Sequence, residues 1–137
     1  MPGIEAASGF TELRRQEAAA PKTLYAIDAH CTARSPVTDA TELTALACAA
    51  VDAGGGHVLD TSHVVFPNGA ITLVLILAES HLSIHTWPEE NLIAVDLFSC
   101  GAIDGRAVLD ALTGGLRLTQ VTVRQVERGL PATHGGG

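Results

Sequence analysis

The chain has 137 residues, 47% of them hydrophobic and only 4% aromatic, which suits one compact domain with a core of Leu, Val, Ile and Ala. Eight Lys and Arg stand against 15 Asp and Glu, a net charge of -7 that speaks against a nucleic-acid partner, since that needs a basic patch. The longest apolar run, residues 71–78, is far too short to cross a bilayer, so no membrane partner is expected.

Residues 1–22 mix Ala, Glu, Arg and Gly without a sustained period and read as a flexible arm. They lack the basic and then apolar order of a signal peptide. Residues 23–29, TLYAIDA, alternate and are rich in β-favouring types, so a first strand is expected there. Asp39 then offers an N-cap, with Glu42 three residues on as in a capping box, and Gly54 offers a stop. Leu43, Leu46, Ala47, Ala50 and Val51 recur between them at helical spacing.

Residues 57–66, HVLDTSHVVF, predict a second strand, and Pro67-Asn68-Gly69 a turn. A third strand follows over 71–78 and a fourth over 92–98. Asp104 can cap a second helix through Leu112, with Gly114-Gly115 behind it, and 120–126 alternates as a last strand. Residues 130–137 read as a flexible tail. The order β-α-β-β-β-α-β predicts an α+β two-layer sandwich, an antiparallel sheet with two helices on one face. The other face then needs cover, which points to a homodimer. The three cysteines, Cys31, Cys48 and Cys100, show no metal-type pair spacing. Neither a disulfide framework nor a metal is expected, and a reducing cytoplasm is the expected setting.

The apolar run 71–78 leads directly into ESHLSIHTWPEE, residues 79–90. As extended chain, this stretch puts Glu79, His81, Ser83 and His85 on one face, with His81 and His85 roughly 13 Å apart. That is too far for one metal ion, whereas a helix would bring the same pair to zinc-binding spacing. Pro88 and the β-branched Ile84 and Thr86 favour the extended form. No G-x-S-x-G elbow surrounds Ser80, as a serine hydrolase would require. Taken singly, Ser80 reads as a turn residue, Cys100 as a small buried side chain and Trp87 as a packing residue. Pattern alone leaves the chemistry open.

Taken together, the eleven residues from Glu79 to Glu89, with DLFSCG at 96–101, resemble the bacterial and archaeal S-adenosylmethionine decarboxylase proenzyme family, and the likeness runs from 23 to 129. The resemblance implies a self-processing, pyruvoyl-dependent decarboxylase acting on S-adenosylmethionine for spermidine synthesis. Relatives with the same machinery act on arginine or ornithine, and an unprocessed, non-catalytic homologue would serve as a binding partner instead. The resemblance implies cleavage between Glu79 and Ser80, with Ser80 becoming the pyruvoyl group that forms a Schiff base with a small-molecule substrate. His85 is then the processing proton acceptor, and Cys100 the proton donor in decarboxylation, its thiol kept protonated by nearby Asp96. Thr72 stands where the family commonly has a second processing serine. Phe66, Leu82, Trp87 and Glu89 are implied to bind substrate, and the active form is a homodimer of cleaved protomers. Two departures flank the implied pocket: no residue separates Phe66 from Pro67, and Val64 stands where a histidine is usual, with His63 beside it.

Overall fold

A computed structural model describes residues 20–130; residues 1–19 of the expected arm and 131–137 of the expected tail lie outside the described residues. In chain order the elements are β1 (Lys22–His30), α1 (Ala40–Ala53), β2 (Val58–Val65), β3 (Ile71–Leu77), β4 (Ser80–Trp87), a 3-10 turn (Pro88–Glu90), β5 (Leu92–Cys100), α2 (Gly105–Gly115) and β6 (Thr119–Arg128). The strands form one sheet in the order β2-β3-β4-β5-β1-β6, and every neighbouring pair is antiparallel. The α+β class and the expected order hold, with one strand added. Residues 80–87 do not simply prolong β3. The chain reverses at Ala78-Glu79, so that Leu77 faces Ser80 and Thr72 faces His85.

Both helices start at the aspartates expected to cap them. The Asp39 carboxylate accepts from the N–H groups of Thr41 and Glu42 at 2.9 and 3.2 Å. That of Asp104 accepts from Ala107 N–H at 3.1 Å, so each satisfies backbone donors that the first helical turn leaves unpaired. α2 runs past Leu112 to Gly115, because the fully buried Leu116 then anchors its end in the core.

One face of the sheet carries that core. Ile71, Leu73 and Leu75 of β3, Leu82 and Ile84 of β4, and Ile93, Val95 and Leu97 of β5 are buried in strict alternation. They pack in one cluster with Leu43, Ala47, Ala50 and Val51 of α1 and Val108, Leu109 and Leu112 of α2. The helices approach closely because Gly54 lacks a side chain: a Cβ there would strike the Val108 side chain and lie 2.7 Å from Asp104 O.

The opposite face has no covering layer among the described residues. It presents Thr72, Val74 and Ile76 of β3, His81, Ser83 and His85 of β4, and Asp96 and Phe98 of β5. Several large apolar side chains stand exposed on it, Ile76 at 49% and Phe66 at 46% among them, with Val64 and Val126 beside them. No helix among the described residues is long and apolar enough to cross a membrane.

Candidate active site

The residues singled out in the sequence form two groups at opposite ends of β4. The first surrounds the β3–β4 turn. A two-residue hairpin loop normally uses Gly, Asn or Asp to reach positive φ, but this loop is Ala78-Glu79, and the positive φ falls on the next residue. Ser80 has φ 137°, a region that a residue with a Cβ enters only at a cost of about 1–3 kcal/mol. The Glu79–Ser80 linkage therefore carries backbone strain.

Glu79 is held from two sides. Its backbone carbonyl accepts from the Cys100 N–H at 3.1 Å and from the Cys100 thiol at 3.3 Å. Two donors on one carbonyl polarise it and would stabilise an oxyanion formed there. The Glu79 side chain is only 1% exposed. Its carboxylate accepts from the His57 N–H at 2.9 Å and pairs with His57 Nδ1 at 2.7 Å. His57 also accepts, through its own carbonyl, the N–H of Ala78 at 2.9 Å. Nothing in the sequence pointed to His57, since no spacing rule links residues 22 positions apart.

The second group lies toward the other end of β4. Thr72 Oγ1 and His85 Nδ1 form a hydrogen-bonded pair at 3.3 Å, and the His85 ring lies 6.2 Å from that of Trp87, tilted by 35°. Asn68 Nδ2 donates to a Glu89 carboxylate oxygen at 3.3 Å, joining the β2–β3 turn to the 3-10 turn. Phe66 opens that β2–β3 turn, with its N–H donated to Ala70 O at 2.8 Å. Phe66, Thr72, His85, Trp87 and Glu89 are thus gathered at one end.

Other placements differ from expectation. Leu82 is 0% exposed and belongs to the helix-covered core, because alternation turns it away from His81 and Ser83; its side chain does not reach the open face. Asp96 sits four positions from Cys100 and opposite Ser83 and Ala26, roughly 13 Å along the strand from the thiol, so the two side chains are not neighbours. His63 pairs with Leu73 and so lies on the helix side, away from Thr72 and His85. His85 is five residues from Ser80 in a regular strand, roughly 16 Å away, so within one chain the two groups do not meet.

Cys31, Cys48 and Cys100 form no disulfide, and burial pushes the thiols of Cys31 and Cys48 above their ordinary value. A cavity of about 260 Å³ lies between residues 31–38 and the end of β4; it touches Trp87 but none of Ser80, His85 or Cys100. No group of three His, Cys, Asp or Glu side chains among the described residues is arranged to hold a metal ion.

Comparison with known proteins bears on this arrangement. The family model for S-adenosylmethionine decarboxylase matches residues 23–129. "S-adenosylmethionine decarboxylase proenzyme 2" of Bacillus anthracis is 37% identical over 82 residues, 59% of this chain and 67% of that one. The S-adenosylmethionine decarboxylase proenzyme of Thermotoga maritima is 40% identical over 82 residues, 59% of this chain and 62% of that one. That of Thermoplasma volcanium is 50% identical over 66 residues, 46% of this chain and 48% of that one. The fold is shared with the crystal structure of the adenosylmethionine decarboxylase of Aquifex aeolicus, with a TM-score of 0.72 and 24% identity over 85% of this chain and 97% of that one. With a strained Glu79–Ser80 linkage in a sheet of this topology and a family match across nearly all its described residues, the chain belongs to the S-adenosylmethionine decarboxylase family.

Proposed function

We propose that this chain cleaves itself between Glu79 and Ser80 and then decarboxylates S-adenosylmethionine, supplying the aminopropyl donor for spermidine. The observation that carries the reading is the Glu79 carbonyl, gripped by the N–H and thiol of Cys100 next to a serine at φ 137°. The proenzyme names of the relatives support the same step.

The chemistry balances on this chain's own atoms. Ser80 Oγ adds to the Glu79 carbonyl carbon, the C–N bond breaks, and an ester replaces the amide while the Ser80 nitrogen takes up a proton. Cys100 donates to the oxygen that carries the developing charge. A base then removes the Ser80 α-proton, the ester C–O bond breaks, and Glu79 leaves as a C-terminal carboxylate. Water converts the remaining dehydroalanine to a ketone with loss of ammonia. The resulting pyruvoyl group supplies the electron-withdrawing carbonyl on which amino-acid decarboxylation depends. Once Glu79 no longer occupies the Cys100 thiol, that thiol can donate a proton to the substrate α-carbon.

The base is His85 of a second copy. In one chain His85 stands roughly 16 Å from Ser80 along β4. Two open faces stacked in opposite directions would set the Thr72–His85 pair of one copy against the Ser80–Cys100 end of the other. Phe66, Trp87 and Glu89 would arrive with it as the substrate-binding side, with the Phe66 ring against the adenine and the Glu89 carboxylate at the ribose hydroxyls. The exposed apolar side chains on that face support a homodimer, since a monomer gains nothing by exposing them together.

Release of carbon dioxide from S-adenosylmethionine by the purified, cleaved protein tests the activity. Turnover of arginine or ornithine and none of S-adenosylmethionine would overturn the substrate assignment.

A further inference from the structure

Resting on the self-processing reading, we infer that His57 is a positioning residue for self-cleavage, acting on the scissile linkage through Glu79. His57 makes three bonds to the two residues just upstream of that linkage: its N–H to one Glu79 carboxylate oxygen at 2.9 Å, its Nδ1 to the other at 2.7 Å, and its carbonyl to the Ala78 N–H at 2.9 Å. On the other side of the same peptide, Cys100 holds the Glu79 carbonyl through two bonds. The peptide that must react is thereby fixed at both its side chain and its oxygen.

A strained φ persists only where the surroundings over-determine it. Ser80 holds φ 137° immediately after this doubly anchored residue, in a hairpin loop without glycine or asparagine. If the Glu79 side chain were free, the turn could relax, and the strain that favours attack would dissipate into solvent-exposed conformations of the loop. The buried carboxylate also needs its partner, because an ionised group at 1% exposure is costly when unpaired.

The anchor is set by α1 and its exit. Gly54 N–H returns to Ala50 and Val51 carbonyls, and Gly55 takes φ 78°. Gly56 passes so close to Val51 and Ile103 that a Cβ would lie 2.7 Å from each side chain. The next residue is His57, delivered in a fixed direction over the β3–β4 turn. Its side chain remains 48% exposed, at the rim of a shallow depression with Cys48, Asp52, Gly56 and Val58. An exposed imidazole contributes little to the hydrophobic core, so H57N, which can keep a donor on the Glu79 carboxylate, separates positioning from folding.

The test compares cleavage rates of the wild type, H57A, H57N, E79A and H57A/E79A by intact mass against time. Asparagine can place a donor where Nδ1 now stands, whereas alanine leaves only the backbone bonds. H57A is expected to cleave about tenfold more slowly or worse, and H57N within about threefold of the wild type. In the E79A background, H57A should add no further loss, because the two residues act as one unit. Equal rates for H57A and wild type overturn the inference. So do equal slowing of H57A and H57N, or additive losses in the double variant. A wild type that stays intact removes the self-processing reading and this inference with it, whereas a cleaving wild type matched by H57A removes the inference alone.

Discussion

Ser80 brings a Cβ into backbone space that glycine ordinarily occupies, and the residue before it has its carbonyl held by Cys100. Two substitutions at this linkage have distinct expected outcomes. Ser80→Ala removes the hydroxyl of the residue that follows the Glu79 carbonyl, so intact mass should show no cleavage and assays no decarboxylation. Cys100→Ala keeps the Cys100 backbone N–H on that carbonyl but loses the thiol, and one such hydrogen bond is worth about 1 kcal/mol net. Cleavage should therefore slow by roughly fivefold, while turnover by the cleaved enzyme falls far more. Normal turnover would remove Cys100 from proton donation. Thr72 adds a third prediction: Thr72→Val deletes the hydroxyl paired with His85 and should slow cleavage several-fold, whereas Thr72→Ser, measured alongside, should retain the rate.

At the scale of elements, Gly54 tests the packing that carries His57. A Cβ at this position meets Val108 and Asp104 O, so Gly54→Ala should destabilise the fold by about 1–3 kcal/mol and lower the thermal midpoint by several degrees. An unchanged midpoint would mean that α1 and α2 can part without cost. Much of this level was legible in the sequence, because its causes are local. Asp39 and Asp104 cap the helices they precede, and the apolar runs expected as strands at 71–78 and 92–98 supply β3 and β5. The separate strand β4 was not legible, because its hairpin loop, Ala78-Glu79, carries none of the usual turn residues and shifts the conformational burden to Ser80. Leu82 was assigned to the substrate side from family pattern, although its place in the alternation already put it opposite His81. The His57–Glu79 pair could not be foreseen, since it depends on where the glycines after α1 release the chain.

For the whole molecule, the sheet has one face under two helices and one face without a covering layer among the described residues. It has Ser80 and Cys100 at one end of β4, and His85 and Thr72 at the other. Family pattern named these residues, but only the sheet register gives their separation, and the proposed second copy rests on that separation. Co-expression of S80A with H85A examines this directly. If His85 acts across the interface, the H85A chain is cleaved in the mixture and stays intact alone; cleavage absent from both would contradict the stacked dimer. Intact mass of the purified wild-type protein decides whether the chain cleaves itself. Self-cleavage yields two chains, 1–79 and 80–137, the second beginning with a pyruvoyl group; a single, persistent species of 14.1 kDa would contradict it.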